Sequence, residues 1–125
     1  MFSDIAIHEV SGWLRELEFM LMEVSFLKTR LAHVVDNASD QNDIKNAEEF
    51  QEKFLQFDDK VKSLLSELKK HHDEMVFDKT HFPNDALNIK DAHKSATASV
   101  EQLIMDWAVL RKQFNGWVIN LIWPG

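Results

Sequence analysis

A chain of 125 residues, 45% apolar and 28% charged, has the make-up of one globular domain rather than a disordered segment. Its formal net charge of −7 argues against nucleic-acid backbones and anionic membrane surfaces as partners, since both select faces rich in Lys and Arg. With no cysteine, disulfides, thiolate nucleophiles and Cys-ligated metal sites are excluded, and a reducing compartment fits.

Only three Gly and two Pro occur, which leaves few breaks and favours a few long helices over many short strands. Met1-Phe2-Ser3-Asp4-Ile5 shows no basic lead into an apolar run, so a secretory signal is not expected and the protein reads as cytoplasmic. The most apolar stretch, Phe114 to Trp123, is far short of the ~20 residues of a membrane span.

The first predicted helix covers about 4–36. Val10, Leu17, Val24 and Leu31 recur at heptad spacing and interleave with Trp13, Met20, Leu27 and Val34, the seam of a helix packed nearly parallel to its neighbours. Asp36 to Asp40 breaks the pattern, and Ser39 or Asp40 is the expected N-cap of the next helix.

The second predicted helix covers about 40–76, with a seam of Ala47, Phe50, Phe54, Phe57, Val61, Leu64, Leu68, His71 and Met75. Phe77 to Asp85 reads as the turn, with Asn84 or Asp85 capping the third helix, about 85–122. The third seam is Ala86, Ile89, His93, Ala96, Val100, Leu103, Trp107, Leu110, Phe114, Trp117 and Leu121. Short connections force successive helices to run antiparallel. The expected fold is therefore all-α: an up-down-up antiparallel three-helix bundle over 1–125, spectrin-repeat-like in architecture and open to dimerisation.

Only two seam positions depart from apolar character, and both are histidine. His71 and His93 flank the same loop, so a hairpin brings them to one level, and Ala6 to Glu9 of the first helix reaches it too. His8, His72 and His81 belong to the same end. Two neutral imidazoles and a carboxylate suit a divalent transition metal, so His71, His93, Glu9 and His8 form a candidate metal site. The Glu-x-x-His pairs of ferritin-like di-iron bundles are absent. The bland alternative is a pair of core histidines bonded to each other or to Glu9, Glu67 or Thr97. Buried neutral histidines would also make the protein sensitive to acid.

The run Ala92 to Ser99 superficially resembles the motif of histidine phosphotransfer domains. Ala96 and Thr97 stand where that motif has Lys and Gly, and the seam buries His93 where the chemistry needs it exposed.

The surplus apolar surface is larger than one seam explains. Phe19, Met22 and Phe26 on the first helix, with Val118, Ile119, Ile122 and Trp123 near the chain's end, form a candidate interface. A homodimer or another protein partner is expected there. No Gly-rich phosphate loop, nucleophile elbow or His-Glu-x-x-His motif occurs, which points away from an enzyme.

The order and spacing of Glu9, Trp13, Glu16-Leu17, Phe19 and Arg30-Leu31, then Glu49-Phe50-Gln51, Phe54, Glu67-Leu68-Lys69 and His71, then Leu110 and Phe114, resembles small uncharacterised all-helical proteins of Bacteroidetes bacteria. That resemblance implies a bacterial cytoplasmic bundle and assigns no functional residue. The sequence thus reads first as a non-enzymatic interaction or structural module, with no cofactor expected. The alternative is a metal-binding bundle with a histidine-based site where the start of the first helix meets the hairpin.

Overall fold

Heptad patterning on three segments with few breakers produces three helices in the computed structural model, which describes residues 2–81 and 87–124. They are α1 (Phe2–Asn37), α2 (Gln41–His81) and α3 (Leu87–Ile122), each roughly 54–62 Å long at about 1.5 Å per residue. Among the described residues there is no strand, and no helix is long and apolar enough to cross a membrane.

The direction of the chain follows from its contacts. Ser11 meets His72 and Lys28 meets Asp58, so α1 and α2 are antiparallel. His71 meets His93 and Phe50 meets Phe114, so α2 and α3 are antiparallel, while Glu9–His93 and Glu23–Trp107 run parallel between α1 and α3. The fold is an up-down-up three-helix bundle.

Asp40 starts α2 as an N-cap: its Oδ1 accepts the Asn42 amide at 2.7 Å and its carbonyl accepts the Ile44 amide at 3.1 Å, satisfying donors that have no partner inside the first turn. At its other end α2 outruns the expected limit of Val76 and continues to His81. Residues Phe77 to His81 include neither Gly nor Pro, so nothing local stops the helix. The caps expected at Asn84 or Asp85, and the seam position Ala86, lie outside the described residues.

The core is the predicted seam with a change of phase near the end of α3. Val10, Leu17 and Val24 of α1, Phe54, Val61 and Leu68 of α2, and Val100 and Phe114 of α3 are at most 2% exposed. Leu65, beside the α2 seam, is buried as well. Val118, expected on the interface, is instead a core residue at 1% exposure. Trp117 is only partly buried. A straight helix drifts by about 20° per heptad against a strict seven-residue repeat. After Leu110 and Phe114, the step of four to Val118 therefore points inward better than the step of three to Trp117.

Candidate functional site

His71, on the inward face of α2, is the one polar residue among the buried ones described, at 8% exposure. Its Nε2 lies 3.2 Å from His93 Nδ1 on α3. His93 Nε2 in turn lies 3.4 Å from Glu9 Oε2 on α1. One hydrogen-bonded chain, Glu9–His93–His71, thus crosses all three helices.

The acceptor at one end sets the direction of the bonds. A carboxylate only accepts, so His93 donates from Nε2 to Glu9, leaving Nδ1 to accept from His71 Nε2–H. The His93 ring also stacks on Trp13, with centroids 5.1 Å apart and planes inclined by 23°. Trp13 follows Glu9 by four residues, so both project from the same face of α1. Burial holds the His71 imidazole below the ordinary histidine value of 6.5. The nearby His93 adds to that depression, Glu74 opposes it, and His72 adds a smaller part.

A second polar contact lies beside the first. His72 Nε2 is 3.4 Å from Ser11 Oγ, and Ser11 donates to the Ile7 carbonyl at 3.1 Å. The serine hydrogen is therefore committed, and His72 is the donor to its oxygen.

Of the residues proposed as metal ligands, three converge and one does not. His8 is exposed, because a neighbour of Glu9 along a helix projects about 100° away from it. His93 places both ring nitrogens on protein groups. Among the described residues no group of three or more His, Cys, Asp or Glu side chains is arranged to hold a metal ion. His93 is also too enclosed for phosphotransfer, its side chain being 18% exposed. Trp13 and Ser11 were not expected as site residues; the four-residue step from Glu9 to Trp13 is the signal that marks the first of them.

Away from the histidines, Phe19, Met22 and Phe26 are exposed at 61%, 69% and 68%. Their spacing of three and four puts them on one stripe of α1. Ile119, Ile122 and Trp123 are exposed too, and Ile122 lines a concavity of about 410 Å³ together with Val34, Ala38, Val118 and Leu121. Met105 and Val109, one turn apart on α3, add exposed apolar surface outside the seam.

The α1 stripe runs alongside the polar junction with α3. Glu23 accepts from Trp107 Nε1 at 3.3 Å and from Arg111 Nη1 at 3.1 Å, and Phe19 and Phe26 lie one turn before and after it. Arg30 Nη1 donates to Asn115 Oδ1 at 3.3 Å further along. Comparison with protein-family models, curated proteins and solved structures finds no match.

Proposed function

We propose that this bundle is a non-enzymatic interaction module that pairs with a second copy of itself through the Phe19–Met22–Phe26 stripe of α1. The observation that carries this reading is three large apolar side chains, each more than 60% exposed, in consecutive turns of one helix. A patch of this kind has a free-energy cost in water that a partner surface removes.

A second copy is the occupant that the chemistry favours. The chain is acidic overall at −7, so two copies repel across most of their surfaces. Phe19, Met22, Phe26 and Thr29 are uncharged, Glu18 and Arg15 on the same face carry opposite charges, and the nearby Glu23 is engaged by Arg111. Two copies can lay this stripe together about a twofold axis near Met22, burying the same residues on both sides.

Sedimentation equilibrium tests the reading directly. The expected result is a species of twice the 14.6 kDa chain mass that reverts to monomer in Phe26→Glu with unchanged helical content. A strictly monomeric wild-type protein at high micromolar concentration sinks it.

A further inference from the structure

The histidine chain carries a property independent of the α1 stripe. With both rings neutral, each contact holds one hydrogen: His93 Nε2–H to Glu9 and His71 Nε2–H to His93 Nδ1. One added proton fits with no movement of heavy atoms. His93 then donates from both nitrogens, and His71 accepts at Nε2 by shifting to its Nδ1–H tautomer. The ring that then donates from both nitrogens is the one that stacks on Trp13 and bonds Glu9, an indole face and a carboxylate.

A second proton does not fit. His71 Nε2 and His93 Nδ1, 3.2 Å apart, would both carry hydrogen, placing two donors face to face with no acceptor. Two like charges would share a site in which the His71 ring is buried, and both effects oppose the doubly charged form. We propose that Glu9–His93–His71 is a proton-counting latch that stays closed with no added proton or one, and that a second proton forces open between His71 and His93, parting α2 from α3 at that level while His93 keeps its contacts with Glu9 and Trp13 of α1.

The surrounding charges agree with this count. From α1 the facing group is Glu9, half exposed at 49%, which compensates one cation. From α2, Glu74 favours charge on His71 and His72 disfavours it, and Asp73 lies 3.7 Å from His72. On α3, Lys90, Asp91 and Lys94 are exposed and well solvated. The sign of the pH dependence follows from His71, whose folded value is depressed. Between that value and 6.5 the unfolded chain binds more protons, so stability is complete above about 6.5 and is lost as pH falls through the window.

The test compares thermal melting of wild-type and His71→Gln between about pH 8 and pH 5, the range in which histidine titrates. Glutamine keeps an amide donor for His93 Nδ1 but takes no charge. The melting temperature of the wild-type protein is expected to fall below about pH 6.5, and that fall is expected to shrink by about half or more in the variant. An equal fall in both proteins overturns the latch. Nitrogen-15 NMR of the wild-type rings needs no variant: two separate protonation steps are expected, the second bringing about tenfold faster amide exchange around His71 and His93. A single shared step, or a second step that leaves exchange unchanged, also overturns it.

Discussion

From Phe50 to Phe57, α2 meets α3 in an aromatic stack, whereas where α3 meets α1 long polar side chains span the gap. Phe54 packs edge-on against Phe114 at 5.0 Å, Phe57 stacks on Trp107 at 5.0 Å, and Phe50 bridges Phe114 and Trp117. On the other side of α3, Glu23, Arg30 and Glu9 reach Trp107 and Arg111, Asn115 and His93 respectively. Helix backbones approach closely where α1 meets α2 and least where α1 meets α3. The two sides differ in kind. On the aromatic side Phe54 and Phe114 are fully buried, while on the polar side each contact is a directed bond between named groups of α1 and α3. The two sides meet at His93, which bonds Glu9 of α1 and His71 of α2, beyond the aromatic stretch.

The largest blow to this comparison comes from the dry side. Phe114 is fully buried and touches rings of Phe50, Phe54 and Trp117. Phe114→Ala is expected to cost about 3–5 kcal/mol through lost burial and the cavity left behind. In a domain of this size that is a fall in melting temperature of roughly 10–20 °C. A loss under about 1 kcal/mol in denaturant titration would mean that α3 is not anchored by its aromatic face.

Trp107 belongs to both sides, and so tests where one ends. Its ring stacks on Phe57 and its Nε1–H donates to Glu23. Trp107→Phe keeps an aromatic body and removes the donor, with an expected cost of about 1–2 kcal/mol, divided between a lost hydrogen bond and a smaller ring. Urea unfolding would show it as a lower midpoint with an unchanged slope.

How much of this was legible beforehand depended on the physical signal. Helix number, direction and most of the core follow from apolar spacing, because the seam at Leu17, Val24, Phe54 and Leu103 repeats often enough to fix its phase. Phase is lost at the end of α3, where one extra residue per few turns moves burial from Trp117 to Val118, and no residue in the sequence marks the change. The meeting of His71, His93 and Glu9 was legible from equal distances to the connecting loop. The place of His8 was not, since loop counting fixes height along the bundle and leaves the angle around the helix open. Trp13 and Trp107 illustrate a further gap. Both occupy seam positions and read as core, yet Trp107 also sends its polar edge to a carboxylate, as a buried indole requires, and Trp13 supplies the stacking face for an imidazole.

The smallest expected effect is on the polar side, at Glu23. Its pairing with Arg111 joins groups 29% and 46% exposed, so water screens the attraction and the pair contributes little. Glu23→Gln retains a carbonyl that accepts from Trp107 and removes only the charge that holds Arg111. The expected cost is about 0–1 kcal/mol at low salt, fading in about 1 M salt as the screening length drops to roughly 3 Å. Chemical denaturation with urea at low and high salt checks both parts, because urea itself adds no ions. A loss above about 2 kcal/mol that persists in salt would place this junction among the desolvated, stability-setting contacts. The contrast between the two sides of α3 would then fail. A small, salt-sensitive loss instead leaves Glu23 as a register mark between parallel helices, lying between the turns that carry Phe19 and Phe26, and would leave α1 free to use that outer stripe for pairing.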